Sequence, residues 1–236
     1  MKESYPNIHV ILPAAGSGKR MGMTTPKQYL QIGDKCILQW SIEAICEYPS
    51  VASFSIAIGK NDKHWVNVAP LIKQKTDVFF GGEERANSVL NGLRYLEGKV
   101  REDDWIMVHD AARPCVAMDD IKQLMLAIDT HEVGGLLTAP VSDTIKKVKG
   151  TKITGTLDRE KLRRALTPQV FRYGILRQAI EVCFEKGIDI TDESSAIEQA
   201  GYKPAYYDGS SDNFKLTHAE DLSLIEAILM KQGRLV

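Results

Sequence analysis

Residues 13–21, with the sequence PAAGSGKRM, combine two glycines with two adjacent cations, Lys19 and Arg20. A third cation, Lys27, follows within the segment TPKQ. Glycines allow a phosphate group to approach backbone N–H groups closely, and fixed cations balance the phosphate charge. The pattern therefore predicts a polyphosphate site, and its donors and charges suit a triphosphate.

Two familiar glycine motifs are excluded by a single residue. A P-loop needs a second glycine followed by Lys and Ser or Thr, and Met21 stands where that glycine belongs. The dinucleotide fingerprint needs its third glycine at the same position. Taken alone, Gly16 and Gly18 are equally consistent with a tight turn beside solvated cations.

The other reactive side chains show no pattern typical of a metal site or a nucleophile. The cysteines stand far apart, at positions 36, 46, 115 and 183, so a zinc knuckle and a thioredoxin motif are excluded. No two histidines have the spacing of metal ligands, and Cys115 has no paired base. Widely spaced cysteines are typical of reduced thiols in a cytoplasmic protein.

Composition restricts the class of protein further. The 236 residues include 30 Lys and Arg against 31 Asp and Glu, a net charge of -1, which argues against a general nucleic-acid binder. No apolar run reaches the roughly 20 residues of a membrane-spanning helix, and the N-terminal MKESYPN lacks the apolar core of a signal peptide. We expect a cytoplasmic protein that binds neither membranes nor nucleic acids, with residues 1–236 forming a single domain.

Strand-like and helix-like segments alternate along the chain. Apolar runs predict strands over 9–13, 53–59, 105–108 and 135–141, and helical spacing predicts helices near 37–45, 86–96, 121–128, 175–184 and 222–229. A capping box, Thr217-x-x-Glu220, marks the start of the last helix. This order predicts an α/β fold with a Rossmann-like, mostly parallel sheet and helices on both faces. Ligands of such sheets lie beyond the carboxyl ends of the strands, here after Leu12 and Val108.

Residues 142–160 interrupt this alternation. Their sequence, SDTIKKVKGTKITGTLDRE, has short β-like pieces and too few large apolar residues for a core. It predicts an extended β-hairpin arm that leaves the domain. Because the arm has no core of its own, we expect it to pack on another chain.

Five sequence motifs stand in an order that carries a family resemblance. They are PAAGSGKRM with PKQYL, GGEERANSV (81–89), VHDAARP (108–114), ALTPQ (165–169) and DNFKLT (212–217). The chain resembles the nucleotidyltransferases that act on sugar-nucleotide-type substrates. More closely, it resembles the 2-C-methyl-D-erythritol 4-phosphate cytidylyltransferase family, from about Val10 to Leu229.

The resemblance implies a reaction between two polyanions. The phosphate of methylerythritol phosphate would attack the α-phosphorus of CTP and expel pyrophosphate. Since the second pKa of a phosphate monoester is about 6, no general base is needed. By resemblance, Arg20 and Lys27 would stabilise the triphosphate and the transition state, while Arg159 and Lys215 would position the attacking phosphate.

The resemblance also implies the remaining contacts. The CTP-binding residues would be Pro13, Ala14, Ala15, Gly16, Gly18, Gly82, Glu83, Ser88, Asp110 and Ala111, and those for the second substrate Arg113, Thr144, Thr167 and Thr191. Many relatives have Asp at position 83, so the longer Glu83 is a departure. Mg²⁺ or another divalent cation is the expected cofactor, with Asp110 as an indirect ligand, and the family pattern implies a homodimer joined by the arm. Thr191 is also consistent with a helix N-cap.

Three alternatives stay open at this level. A ribitol-5-phosphate cytidylyltransferase shares most motifs, although its relatives tend to open with AGG where this chain has Ala14-Ala15-Gly16. An NAD(P)-binding oxidoreductase would use the same kind of sheet, but Met21 breaks its fingerprint. A catalytically inactive nucleotide-binding regulator would leave the four predicted catalytic cations unexplained.

Overall fold

The computed structural model describes residues 7–16 and 25–235. Its main elements alternate between strands and helices as expected. They are β1 (Ile8–Pro13), β2 (Gln31–Ile32), β3 (Lys35–Cys36), α1 (Ile37–Cys46), β4 (Val51–Ile58), α2 (Trp65–Val68), β5 (Asp77–Phe80), α3 (Arg85–Tyr95), β6 (Trp105–Val108), α4 (Met118–Ile128), β7 (Gly134–Pro140), β8 (Lys146–Lys149), β9 (Lys152–Thr156), β10 (Arg163–Arg172), α5 (Tyr173–Glu185), α6 (Glu193–Gln199), β11 (Ala205–Asp208) and α7 (Asp221–Lys231).

Seven strands form the central sheet, in the order β11-β7-β10-β6-β1-β4-β5. Strands β5, β4, β1 and β6 are parallel neighbours, and β7 is parallel to β11. Strand β10 runs antiparallel to both β6 and β7. The carboxyl ends of all strands except β10 therefore lie at one edge of this sheet.

Side chains of the buried strands alternate between two apolar layers. In β1, Val10 and Leu12 pack in one layer with α1 and α4, while Ile11 packs in the other with α3, α5 and α6. Near-continuous apolar runs are typical of parallel strands that are covered on both faces. The expected α/β sheet with helices on both faces is confirmed.

A third apolar cluster attaches α7 to the first half of the chain. Ile225 and Leu229 of α7 pack with Ile37 and Trp40 of α1, and Leu216 is fully buried among them. This packing holds the loop before α7 at the carboxyl edge of the sheet. It thereby brings residues near 215 close to residues near 27.

The arm is a two-stranded hairpin of β8 and β9, and every residue of both strands is exposed. The hairpin within residues 142–160 is thus confirmed. Among the described residues, no helix combines the length and apolar character needed to cross a membrane.

Several local features differ from the sequence-based expectations, and strands β5 and β11 were not among the predicted strands. The capping box is wrong: α7 begins at Asp221, whose carboxylate accepts hydrogen bonds from the backbone N–H groups of Thr217 and His218. Strand β10 has no counterpart in the predicted elements, although it contains the ALTPQ motif. This segment is a strand because it pairs with β6 and β7. Pairing between distant segments cannot be predicted from the apolar periodicity of a short segment.

Candidate active site

Three loops meet where parallel strands end. The backbone N–H of Ala14, after β1, donates to Ala57 O at 3.0 Å. The N–H of Gly81, after β5, donates to Ile58 O at 2.9 Å, and that of His109, after β6, donates to Ile11 O at 3.1 Å. These bonds extend the sheet by one residue and fix the base of each loop.

The loops surround a cavity of about 410 Å³. Its wall contains most of the residues predicted for the nucleotide, together with two of the predicted catalytic lysines. The lining residues are Pro13, Ala14, Ala15, Gly16, Lys27, Gln28, Gly82, Glu83, Glu84, Arg85, Ser88, Asp110, Ala111, Ala112, Lys215 and Thr217.

Small residues allow two of the loops to approach each other closely. A Cβ atom at Gly81 would overlap the Ala15 side chain and lie 2.7 Å from Ser88 Oγ. Ser88 Oγ accepts a hydrogen bond from the Gly82 N–H at 3.1 Å. Glycine is therefore required at position 81 by the close approach of the first loop.

The glycine loop is anchored by a residue that the sequence analysis did not single out. Gln28 is buried, and its Nε2 donates to Ala14 O at 2.7 Å and to Gly16 O at 3.1 Å. One side-chain amide thus fixes the first turn of the loop. Its position directly after Lys27 couples the loop to that lysine.

Two predicted catalytic lysines approach the cavity from distant parts of the chain. Lys27 Nζ donates to Leu216 O at 3.0 Å, and Lys215 Nζ lies 2.7 Å from Asp110 Oδ2. The loop before α7 therefore carries one lysine and holds the other. Both ammonium groups belong to residues that line the cavity.

Asp110 is the centre of the charge network. Arg85 Nε donates to its Oδ1 at 2.7 Å, and Lys215 Nζ and Arg113 Nε lie 2.7 and 3.5 Å from its Oδ2. Burial alone would raise the pKa of this carboxyl, but the three cations outweigh burial and hold its pKa well below its usual range. Asp110 is therefore a carboxylate at neutral pH.

The acidic residues of the cavity suit indirect contact with a magnesium ion carried by a substrate, since both oxygens of Asp110 already contact cations. Within residues 7–16 and 25–235, no three His, Cys, Asp or Glu side chains form a cluster that would hold a metal ion. Mg²⁺ commonly uses one or two carboxylates together with substrate phosphates. Asp110 and the exposed Glu83 are the acidic groups that our sequence analysis placed here, and both line the cavity.

The backbone at Asp110 is held by a continuous chain of hydrogen bonds. Its N–H donates to Thr167 Oγ1 at 3.1 Å, and Thr167 Oγ1 lies 3.0 Å from His109 Nδ1. His109 Nε2 lies 2.9 Å from Arg113 O, a carbonyl that can only accept. Nε2 therefore carries the imidazole proton, and the threonine hydroxyl donates to Nδ1.

The chain matches a known family over most of its length. The sequence model described as 2-C-methyl-D-erythritol 4-phosphate cytidylyltransferase matches residues 8–231. The chain belongs to this family. A protein of that name from Hahella chejuensis is 43% identical over 226 residues, which cover 95% of this chain and 93% of that protein. Another from Vibrio vulnificus is 42% identical over 235 residues, or 98% of each chain.

Solved structures lead to the same family. The crystal structure of the Francisella tularensis 2-C-methyl-D-erythritol 4-phosphate cytidylyltransferase superposes with a TM-score of 0.82 at 34% identity. The match covers 94% of this chain and 100% of that one. The chain is therefore a nucleotidyltransferase of the cytidylyltransferase class.

Several residues predicted from the family resemblance lie outside the cavity wall of this single chain. Arg159 is on the arm, where its Nη1 donates to Ser142 O at 2.6 Å, and Thr144 is exposed at the start of the arm. Thr167 is buried beneath Asp110, and Arg113 Nη1 donates to Asn213 O at 2.8 Å. Gly18 and Arg20 lie outside the described residues.

Thr191 is not a helix N-cap, although its sequence context was consistent with one. The N-cap of α6 is Asp192, whose side chain accepts a hydrogen bond from the Ser195 N–H at 2.9 Å. Thr191 itself is exposed, and its N–H donates to Ser195 Oγ at 3.1 Å. The contact of Thr191 with the second substrate, which the family resemblance implies, stays a prediction.

Three residues of the site, Arg85, Gln28 and Glu193, were not predicted from the sequence. Arg85 and Gln28 line the cavity, and both stand inside motifs that carry the family resemblance. Glu193 carries no such signal, because its contact with Arg85 joins residues 108 positions apart. Spacing along the chain does not reveal a pair of this kind.

We expect acid to destabilise this site through His109. Burial lowers the pKa of the imidazole from 6.5 to about 4. The unfolded chain binds a proton below pH 6.5, whereas the folded chain resists protonation until about pH 4. The free energy of unfolding should therefore fall between these pH values, by about 3 kcal/mol in full. Urea denaturation at pH 7.5, 6 and 5 measures this loss.

The variant His109→Gln is the control for this pH dependence. Glutamine can donate to Arg113 O and accept from Thr167 but does not titrate. We expect a less stable protein at pH 7.5 with a shallower decline towards pH 5. Parallel declines for the variant and the wild type would show that another group is responsible.

Proposed function

We propose that this chain transfers the cytidylyl group of CTP to 2-C-methyl-D-erythritol 4-phosphate. The products are 4-diphosphocytidyl-2-C-methyl-D-erythritol and pyrophosphate. The observation that best supports this function is the convergence of Lys27 and Lys215 on a cavity that is also lined by small residues, among them Ala14, Ala15 and Gly82. The cations suit phosphates, and small residues leave backbone groups accessible to a base.

The reaction needs charge neutralisation more than proton transfer. An oxygen of the substrate phosphate forms a bond to the α-phosphorus of CTP, and the bond from that phosphorus to the oxygen bridging to the β-phosphate breaks. The electron pair leaves with pyrophosphate, and no proton has to be removed from the attacking dianion. Lys27 and Arg20 would stabilise the triphosphate charge, while Lys215 and Arg159 would hold the attacking phosphate in line.

Magnesium is part of this proposal. When bound, the ion would neutralise charge on the phosphate oxygens. Asp110 would contact it indirectly, through water, because both of its oxygens already contact cations. The carboxylate of Asp110 also keeps Lys215 at the cavity at 2.7 Å, which supports a shared role in orienting the phosphates.

The cytosine base would contact Ala14, Ala15, Gly82 and Ser88, which all line the cavity. The remaining predicted contacts, from Arg113, Thr144, Thr167 and Thr191, would hold the second substrate.

A single assay separates this function from its alternatives. Purified protein with Mg²⁺ is mixed with each of the four NTPs and with either methylerythritol phosphate or ribitol 5-phosphate, and pyrophosphate release is followed. We expect release with CTP and methylerythritol phosphate. Release with CTP and ribitol phosphate only would show that ribitol phosphate is the substrate. No release with any pair would contradict the enzymatic function.

We further propose that residues 1–236 act as one domain whose arm, 142–160, packs on a second copy of the chain. Val148 and Ile153 of the arm are 62% and 66% exposed, and Leu157 is 42% exposed. A partner chain would bury these side chains. In such a homodimer Arg159, which lies outside the cavity wall of its own chain, would reach the site of the partner.

Deleting residues 146–156 is expected to convert the dimer to a monomer. The deletion removes β8 and β9, which pair only with one another in the described sheets, so the central sheet should fold unchanged. Light scattering measures the mass in solution, and circular dichroism checks the fold. A deletion product that remains dimeric would contradict the role of the arm.

A cytoplasmic location also belongs to this proposal. The four cysteines are free thiols, and Cys36, Cys115 and Cys183 are buried. Free thiols persist in the reducing cytoplasm.

A further inference from the structure

Arg85 is the first residue of α3, and its guanidinium connects three elements. Nη1 and Nη2 donate to Oε1 and Oε2 of Glu193 at 2.7 and 2.9 Å. Nε donates to Asp110 Oδ1 at 2.7 Å. Glu193 is the first residue of α6, and Asp110 follows β6. One side chain thus joins the start of two helices to the end of a central strand.

We propose that Arg85, held by Glu193, is a positioning residue for Lys215. A carboxylate group has two oxygens that rotate together. When Arg85 binds Oδ1 of Asp110, it turns Oδ2 toward the ammonium group of Lys215, which lies 2.7 Å away. The inference rests on the proposed function, in which Lys215 holds the attacking phosphate.

Glu193, which binds Arg85, is itself held in a fixed position. Glu193 is only 2% exposed, and α6 is tied to β10 by the side-chain amide of Gln169. Gln169 Oε1 accepts from the Ser194 N–H at 2.8 Å, and its Nε2 donates to Asp192 Oδ2 at 2.9 Å. The glutamate therefore has a fixed position, and a bidentate ion pair transmits that position to the guanidinium.

Stability alone is a poor explanation for this network. Taking charges out of water costs free energy, so a buried ion pair often adds little stability compared with apolar side chains of similar volume. The guanidinium faces the cavity, where apolar packing is not required. A role in orienting Asp110 and Lys215 at the cavity explains why charged side chains occupy these positions.

The variant Glu193→Gln tests the proposal without touching the cavity wall. Glutamine presents an NH₂ group to one of the two guanidinium donors, so the bidentate pair cannot form. The guanidinium should then turn and release Asp110. We expect kcat to fall by about tenfold or more, as for other partners that orient a functional group. The KM for CTP should stay within about threefold, because Glu193→Gln replaces no residue of the cavity wall and the expected shift is confined to Arg85, Asp110 and Lys215.

Two further variants complete a double-mutant cycle. Arg85→Lys keeps the charge but cannot make three hydrogen bonds in the plane of a guanidinium. If Glu193 acts through Arg85, the double variant should be no slower than Arg85→Lys alone. Additive losses in kcat would show that Glu193 acts independently and would overturn the proposal.

Glu181→Gln serves as the matched control. Glu181 lies on α5 and pairs with Arg94 of the same helix as Arg85, at 3.4 Å, away from the cavity. We expect its kcat and KM to equal those of the wild type. A loss of kcat as large as in Glu193→Gln would attribute the effect to a general loss of ion pairs.

Thermal denaturation and a crystal structure of Glu193→Gln separate positioning from stability. We expect the Lys215 Nζ to Asp110 distance to lengthen beyond about 4 Å in an unchanged fold. An unchanged kcat with a lowered Tm would mean a purely structural pair, and a raised KM for CTP alone would mean direct nucleotide binding by Arg85. If the wild-type protein has no activity, the proposed function is wrong. The Lys215–Asp110 distance in the crystal structure of the variant would still show whether Glu193 and Arg85 position Lys215.

Discussion

Replacing Lys27 with alanine is expected to lower kcat by roughly 10²- to 10³-fold while the protein stays folded. The Lys27 ammonium group is at the cavity, where its Nζ donates to Leu216 O at 3.0 Å. In the proposed reaction it stabilises charge that develops as pyrophosphate departs. Alanine offers no donor there, and water is a weaker substitute. Pyrophosphate release under saturating substrates measures kcat.

The fold should tolerate this change, since the hydrogen bond to Leu216 O contributes about 1 kcal/mol. Lys122→Ala is the matched control: this exposed lysine of α4 pairs with Asp119 at 3.1 Å, outside the cavity wall. We expect wild-type kcat from that variant. An unchanged kcat in Lys27→Ala would show that the ammonium group is not catalytic.

Replacing Asp110 with asparagine is expected to lower both kcat and stability. The carboxylate faces Arg85, Lys215 and Arg113, so its loss leaves three cations without their shared negative partner. We expect kcat to fall by about 10²-fold or more, because Lys215 is no longer held at the cavity. The free energy of unfolding should fall by about 3 kcal/mol, the lower range for a broken buried pair, since Arg85 keeps Glu193.

The control for this second prediction is Asp119→Asn. Its side chain is 88% exposed and pairs with Lys122 at the surface, so we expect kcat and the urea midpoint to match the wild type. Wild-type kcat in Asp110→Asn would contradict the role of the carboxylate in holding Lys215. A loss of stability without a loss of kcat would leave Asp110 as a structural residue.

The sequence was most informative where function depends on local backbone. Strands β1 and β6 were predicted from apolar runs, and the loops that follow them form the cavity. Strand β10 was missed, because it enters the sheet through pairing with β6 and β7. The position of Thr167 beneath Asp110 depends on this strand pairing, which the ALTPQ motif alone does not predict.

The charge network shows the same division at the level of side chains. Lys27 and Lys215 were both predicted from the family resemblance, but the geometry that brings Leu216 to Lys27 requires the packing of α7 on α1. Arg85 and Glu193 meet across 108 positions. No local pattern contains such a contact, since it depends on the positions of two helix starts.

By itself, the sequence determined the kind of chemistry: small residues and cations without a paired nucleophile and base predict the handling of phosphate groups. This follows because charge, donor type and the ionisation of a phosphate are properties of the groups themselves. The tertiary structure alone decided which cations share Asp110 and which oxygen each one binds. Distances between groups far apart in the chain are set by the order of strands and the packing of helices, and the strength of an ion pair depends on those distances.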